Sequence, residues 1–351
     1  MTPSLASVLS PALRRLDPER AHRFAILALR AGLAGAGRAL DDDALAVTAA
    51  GRRFPNPIGI AAGFDKDAKA LRGLVRLGFG FVEAGTVTLR PQPGNQRPRV
   101  FRLVEDEAVI NRYGLNSEGY DAMQQRLDRL PRTGLRAAVG VNVGPNKGGD
   151  AERDLPPLIT KLSATPGISY AAINVSSPNT PGLRHLQQGR RLASLLAAIK
   201  AACPRPLPLM VKIAPDQAPG ALGEIIETCA AAGVAGLIVG NTTVARPATL
   251  RSPARGEVGG LSGRPLFEPS TQLLRDAHRL ARGRLLLVGC GGVRTGADAL
   301  AKIKAGASLV QLYTAFAYAG PAIVPRLKRE LLEAMRAEGF ARISDAIGAG
   351  A

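Results

Sequence analysis

From about residue 56 onward the chain alternates short apolar runs with amphipathic stretches. The apolar runs lie at 57–62, 79–86, 137–143, 170–175, 207–213, 235–239, 284–288 and 308–313, and most are rich in Val, Ile or Leu, as strands buried on both faces require. Between them, helix-like patterns fall at 67–76, 117–130, 189–201, 222–232, 270–282 and 297–305. Strict strand–helix alternation calls for a parallel sheet, and eight repeats predict a closed (β/α)8 TIM barrel. A doubly wound open sheet is the alternative, but it would carry GxGxxG after its first strand, and 59–63 is not that pattern.

Two regions stand outside the alternation. Residues 89–110 contain Pro91-Gln92-Pro93-Gly94 and Arg97-Pro98-Arg99, then alternating residues around 100–103; they predict a β-ribbon insertion over the top face of the barrel. Residues 1–40 read as a separate two-helix extension, with 41–351 forming the barrel. Ser10-Pro11 and Asp17-Pro18-Glu19 each place a capping residue before a Pro at the first helical position. In the second helix Phe24, Leu27, Ala28 and Ala31 share a face, with Arg20, Arg23 and Arg30 elsewhere. Such a basic amphipathic pair packs on the barrel or lies in a membrane interface; the pattern alone favours packing.

Composition narrows the function classes. The 351 residues are 46% hydrophobic, ample for one large core, and no uninterrupted apolar tract is long enough to span a bilayer as a helix. The start lacks the layout of a secretory signal. Cys203, Cys229 and Cys290 are odd in number and lack CxxC spacing, which argues against a disulfide frame or a zinc site. The histidines, His22, His185 and His278, are dispersed, and no metal is expected. A net charge of +18 allows nucleic acid, anionic membranes or acidic small ligands as partners. Aromatic residues at 4% and no Trp leave few platforms for stacking bases, so no nucleic-acid partner is expected.

In a TIM barrel the chemistry sits at the carboxyl ends of the strands. Those ends read, in order, Ala62-Gly63-Phe64-Asp65-Lys66, Gly85-Thr86, Asn142, Asn174 with Ser177, Lys212, Asn241-Thr242, Gly289-Cys290-Gly291-Gly292 and Tyr313-Thr314. Amide side chains carry donors and acceptors, so Asn174 and Asn179 suit a flat heterocycle that displays both. A hydroxyl between them, Ser177, is placed to act on it. Glycines after strand 7, with Tyr313-Thr314 after strand 8, suit a phosphate site. Phosphate plus amides implies a nucleotide-like cofactor, and flavin mononucleotide (FMN) fits. Lys212 would then place a cation near the N1/O2 edge of the flavin.

These motifs resemble the quinone-dependent (class 2) dihydroorotate dehydrogenases over nearly the whole chain. The resemblance rests on Ala62-Gly63-Phe64-Asp65-Lys66, Gly85-Thr86-Val87-Thr88, Arg90-Pro91-Gln92-Pro93-Gly94-Asn95, Asn111-Arg112-Tyr113-Gly114-Leu115-Asn116 and the run 174–184. It continues in Val211-Lys212-Ile213-Ala214-Pro215-Asp216, Asn241-Thr242-Thr243, Gly259-Gly260-Leu261-Ser262-Gly263-Arg264-Pro265-Leu266 and Asp17-Pro18-Glu19-Arg20-Ala21-His22.

The resemblance implies that Ser177 removes the C5 proton of dihydroorotate while the C6 hydride moves to flavin N5, with Thr180 as proton relay. It implies that Asn111, Asn116, Asn174, Asn179, Asn241 and Thr242, with Lys66 and the stretch Arg112, Tyr113, Gly114 and Leu115, bind dihydroorotate or orotate. It implies a flavin site of Ala62, Gly63, Phe64, Asp65, Lys66, Thr86, Asn142, Asn174, Lys212, Gly240, Gly263, Gly292, Tyr313 and Thr314. Ubiquinone or menaquinone would enter between the amino-terminal helices, which reverses the pattern-only reading of that face. The expected protein is a monomer held peripherally on the cytoplasmic face of a bacterial inner membrane.

Three positions depart from the family. Leu115 stands where Phe is usual, Gly240 where Ser or Thr often contacts flavin, and Cys290 where Val is common. Other flavin barrels are the alternatives, namely a soluble dihydroorotate dehydrogenase or a tRNA dihydrouridine synthase. The soluble class carries Cys in place of Ser177 and lacks the amino-terminal helices. The synthase would bring a further RNA-binding module.

Overall fold

The computed structural model describes all residues except 1, 9, 38–41, 131–134, 204 and 206. Eight parallel strands close into a barrel in chain order: β1 (Ile58–Ile60), β2 (Phe81–Val87), β3 (Ala138–Val143), β4 (Ile168–Asn174), β5 (Leu209–Ile213), β6 (Gly236–Val239), β7 (Leu286–Cys290) and β8 (Leu309–Leu312). β8 pairs with β1 and β5 with β6, which completes the ring. Each predicted strand is present within a few residues of its expected bounds. Every residue of β2, β3 and β6 is buried, which explains why these strands read as near-continuous apolar runs rather than alternating ones.

Aromatic rings fill the amino-terminal end of the barrel. Gly140 makes room for one: a Cβ there would stand 2.1 Å from the Tyr170 ring. A hairpin, Val47–Ala49 with Arg52–Phe54, closes this end, and Phe54 meets Phe81 edge-to-face at 5.8 Å. The expected domain boundary at residue 40 lies outside the described residues.

Six expected helices are found, at Leu71–Arg76, Tyr120–Leu127, Gly189–Ala202, Ala221–Ala231, Phe267–Ala281 and Gly296–Lys304. The structure adds Ala151–Ser163 after β3, and Thr314–Ala319 and Ile323–Ala337 after β8. Ala151–Ser163 contains Pro156 and Pro157, which remove the N–H groups that would meet the carbonyls of Glu152 and Arg153. Burial of Leu155, Leu158, Ile159 and Leu162 along one face holds the helix despite that loss.

Above the barrel, the ribbon strands Val100–Leu103 and Ala108–Asn111 pair antiparallel, and Gly260–Gly263 adds a third strand. The amino-terminal extension contains the helix Pro18–Arg30, capped by Asp17, whose carboxylate accepts from the Arg20 N–H at 2.9 Å. The first expected helix is short, Ser10–Leu13, and a further piece, Pro3–Ser7, precedes it. Glu19 ties the long helix to the ribbon through Arg99 at 2.7 Å and Arg97 at 3.0 Å. The expected packing face is not buried: Phe24 is 54% and Leu27 55% exposed, while Ala21 and Leu29 face inward.

Candidate active site

One cavity of about 790 Å³ opens over the carboxyl ends of the strands and runs up to the amino-terminal helices. Its walls include Ala62, Gly63, Phe64, Lys66, Thr86, Asn111, Tyr113, Gly114, Leu115, Asn116, Asn174, Ser177, Asn179, Lys212, Asn241, Thr242, Gly263, Gly292, Tyr313 and Thr314. These positions are far apart in sequence and are brought together because each follows or ends a barrel strand or lies in the ribbon above it. The upper part is apolar, with Leu13, Ala21, Ala25, Ala28, Leu29 and Leu33.

Ser177 follows β4 in a turn that buries it, and its Oγ accepts from the Asn179 N–H at 3.3 Å. That N–H favours negative charge on the oxygen, as a hydroxyl acting as a base needs. Asn179 in turn donates to the Asn111 carbonyl at 3.0 Å, which ties the serine loop to the ribbon. Arg184 holds the same loop from beneath. It donates to the carbonyls of Ser176 and Thr242, each at 3.0 Å, and pairs with Asp216 at 2.8 Å.

Two lysines stand among the basic residues that line the cavity. Lys66 donates to the Gly63 carbonyl at 2.6 Å and lies 4.0 Å from the centroid of the Tyr113 ring. Burial lowers its pKa to about 8, so it is cationic at neutral pH. Lys212, from β5, is 4% exposed and has no hydrogen bond or ion pair among the described residues. Its side chain lines the cavity, where an acceptor can meet it.

The residues present fit a flavin nucleotide. Lys212 would supply a cation for the pyrimidine edge of the ring. Gln311 Oε1 is buried at the cavity wall with no hydrogen-bond partner among the described residues, an acceptor available to a donor on the ring or its side chain. Gly292 lies at φ +77°, and a Cβ there would meet the Phe267 backbone at 2.4 Å, so only glycine leaves this turn in place beside Gly263 and Thr314. Exposed backbone N–H groups in such turns suit phosphate.

Five expected site residues lie off the cavity wall. Arg112 turns outward, donating to Glu257 at 2.8 Å and stacking over Phe101. The Asp65 carboxylate accepts from the N–H groups of Lys69 and Ala70, at 2.8 and 2.7 Å, and so pins the turn that leads into the helix after β1; burial pushes its pKa up to about 6. Asn142 sits beneath Thr86, whose hydroxyl donates to it at 2.6 Å. Thr180 Oγ1 is buried without a partner among the described residues. Gly240 has φ +116°, and a Cβ would stand 2.2 Å from the Cys290 carbonyl. A Ser or Thr side chain would not fit this backbone, so Gly240 offers main-chain atoms alone.

Sequence reasoning overlooked other residues. Ser176 is fully buried, and Asn241 donates to its hydroxyl at 2.7 Å; it was hidden beside the more conspicuous Ser177. Glu83 and Gln311 point into the barrel interior, and the signal was available, since each interrupts an apolar strand. His22 meets Phe64 edge-to-face at 5.1 Å in the cavity, and burial, then the Lys66 charge, lower its pKa to about 3. Near the helix mouth Arg102 donates to the carbonyls of Arg14 and Leu16, at 2.9 and 2.7 Å, and Tyr318 to that of Ala108 at 2.9 Å.

A closed (β/α)8 barrel with a buried serine, lysines and an amide cluster at its strand ends has the layout of an enzyme active site. The sequence profile of dihydroorotate dehydrogenase matches residues 44–335. The chain is 50% identical to the dihydroorotate dehydrogenase (quinone) of Azorhizobium caulinodans, over 98% of this chain and 99% of that one. It is 47% identical to the mitochondrial dihydroorotate dehydrogenase (quinone) of Mus musculus, over 98% and 89%. The crystal structure of the Eimeria tenella dihydroorotate dehydrogenase in complex with ferulenol superposes with a TM-score of 0.91 at 38% identity, covering 96% of this chain and 98% of that one. The chain belongs to the dihydroorotate dehydrogenase family, in its quinone-dependent class.

Proposed function

We propose that this chain oxidises (S)-dihydroorotate to orotate for pyrimidine synthesis and passes the electrons to a membrane quinone. The observation that carries the reading is the single cavity with Ser177 and Lys212 at one end and the apolar faces of the amino-terminal helices at the other. A bound FMN would accept hydride from the substrate side and return electrons on the quinone side.

The protein's own residues account for the rest. Lys66, cationic at pH 7, attracts the substrate carboxylate. The amides of Asn111, Asn116, Asn174, Asn179 and Asn241 orient the pyrimidine ring by its alternating donors and acceptors. Ser177 Oγ takes the C5 proton, supported by the Asn179 N–H, and Thr180 supplies the buried hydroxyl through which that proton leaves. Residues 1–40 serve as quinone access and 41–351 as the flavin barrel. Phe24, Leu27 and Leu33, each more than half exposed, suit a protein resting on the acyl boundary of a bilayer. The reading places it peripherally, on the cytoplasmic side of an inner membrane.

Ser177→Ala tests the role of the base. The variant is expected to retain its yellow colour while dihydroorotate bleaches it about 10²- to 10⁴-fold more slowly. Bleaching at the normal rate would remove Ser177 from the chemistry.

A further inference from the structure

Six hydrogen bonds run in one direction across the floor of the site. The Thr242 N–H donates to Asn241 Oδ1 at 2.9 Å, and Asn241 Nδ2 donates to Ser176 Oγ at 2.7 Å. Ser176 Oγ donates to Asn174 Oδ1 at 2.9 Å, and Asn174 Nδ2 to Thr86 Oγ1 at 3.0 Å. Thr86 Oγ1 then donates to Asn142 Oδ1 at 2.6 Å, and Asn142 Nδ2 to Glu83 Oε1 at 2.9 Å. A hydroxyl has one hydrogen and an amide has distinct donor and acceptor ends, so fixing one link fixes the next. The backbone N–H of Thr242 starts the series, and that of Ser176, which also donates to Asn174 Oδ1 at 3.2 Å, reinforces it. The Glu83 carboxylate, which only accepts when ionised, ends it.

Glu83 is fully buried in β2. Its second oxygen accepts from the Tyr170 hydroxyl at 2.9 Å and from Gln311 Nε2 at 2.7 Å. Burial, and then the Glu83 charge itself, hold the Tyr170 phenol protonated. Because Gln311 gives its NH2 to Glu83, its Oε1 is left as the unpartnered acceptor at the cavity wall. Because Asn174 and Asn241 each give one N–H to the series, the second amide hydrogen of each remains at the cavity they line.

We infer that Glu83 is a positioning residue: it terminates a unidirectional hydrogen-bond series that passes through Asn142 behind the cavity wall, and thereby fixes which ends of Asn174, Asn241 and Gln311 are presented to the ligands. The site so polarised offers N–H donors from β4 and the loop after β6, and an acceptor from β8. This rests on the proposed reading of the cavity as a flavin and dihydroorotate site. The carboxylate touches no ligand; it acts through Asn142 and Gln311.

Glu83→Gln replaces a pure acceptor by a group with one donor end, at almost constant volume. One donor now faces another, either at Asn142 or at Tyr170 and Gln311. Orotate binding to the flavin-loaded protein, read from the flavin difference spectrum, is expected to weaken about tenfold or more. FMN binding to the apoprotein, read by fluorescence quenching, should weaken in parallel. Tyr170→Phe removes a donor to Glu83 without breaking the series, and is expected to cost stability but leave orotate affinity within about twofold.

The double variant Glu83→Gln with Asn142→Asp exchanges the two groups. The new amide can accept from Tyr170 and Gln311 and donate to the new carboxylate, which still accepts from Thr86. It is expected to recover most of the lost orotate affinity. Should Glu83→Gln not fold, Thr86→Val, which cuts the series in the middle, must weaken orotate in its place. Unchanged orotate affinity in Glu83→Gln or Thr86→Val, or a double variant no better than the single one, would overturn the inference. Failure of the unmodified protein to bind orotate at all would instead overturn the functional reading.

Discussion

The ammonium of Lys66 lies over the face of Tyr113, 4.0 Å from the ring centroid, and donates to the Gly63 carbonyl. The pair joins the turn after β1 to the ribbon above the barrel. Burial lowers the Lys66 pKa to about 8, while the Tyr113 phenol is raised well above its usual value, chiefly by burial. Between the folded value and the ordinary 10.5, the unfolded chain holds a proton that the folded protein lacks. The stability contribution of Lys66 therefore rises with pH across that window, and its penalty is full below pH 8. Orotate, an anion, should bind up to about tenfold more weakly for each unit above pH 8 as the cation is lost. Lys66→Met should bind weakly at every pH and show no such slope in a titration from pH 6 to 10.

His22 behaves in the opposite pH range. Its folded pKa of about 3 lies below the ordinary 6.5, so the unfolded chain binds the extra proton as pH falls through this interval. Stability should decline from pH 6.5 toward 3. His22→Gln should flatten that decline, measured as melting temperature against pH; an unchanged slope would assign the acid sensitivity elsewhere.

Gly292 tests the proposed phosphate turn. Alanine there meets both a left-handed φ and the Phe267 backbone at 2.4 Å. Gly292→Ala should cost about 1–3 kcal/mol from the backbone conformation alone and release flavin on gel filtration. A yellow variant of normal stability would show that this turn does not bind the cofactor.

How much of this was legible depended on how strongly a local pattern was forced. The barrel strands were readable because burial on both faces leaves only apolar residues, with polar groups at the ends. The helix Ala151–Ser163 was not, because Pro156-Pro157 reads as a break although buried Leu155 and Leu158 hold the helix. The apolar face of Pro18–Arg30 was legible, but not its direction: periodicity marks Phe24 and Leu27 as sharing a side, and only the fold shows that this side is exposed. Ser177 and the asparagines were readable from motifs. Thr180 came from the same motifs and Asn142 from the end of the third strand, yet both lie off the cavity wall. Glu83 and Gln311 were visible as polar breaks in apolar strands, but not as partners, because 228 residues separate them in the chain.

The exposed face of that helix yields a membrane prediction. Phe24→Asp with Leu27→Asp removes two large apolar side chains, each contributing about 1.5–3 kcal/mol when fully buried. Co-sedimentation with anionic vesicles should fall at least tenfold, and turnover with a long-chain quinone should fall with it. Turnover with a short-chain, water-soluble quinone should be unchanged. Equal loss with both quinones would mean that the helix supports the barrel rather than the bilayer.

The coupling of dihydroorotate to quinone through one cavity can be followed by anaerobic sequential mixing of the flavin-loaded protein, first with dihydroorotate and then with a short-chain quinone, while the flavin absorbance is recorded. Rapid bleaching and then rapid return of colour are expected. A yellow protein that dihydroorotate does not bleach would contradict the substrate, and bleaching without recovery on adding quinone would contradict the electron acceptor.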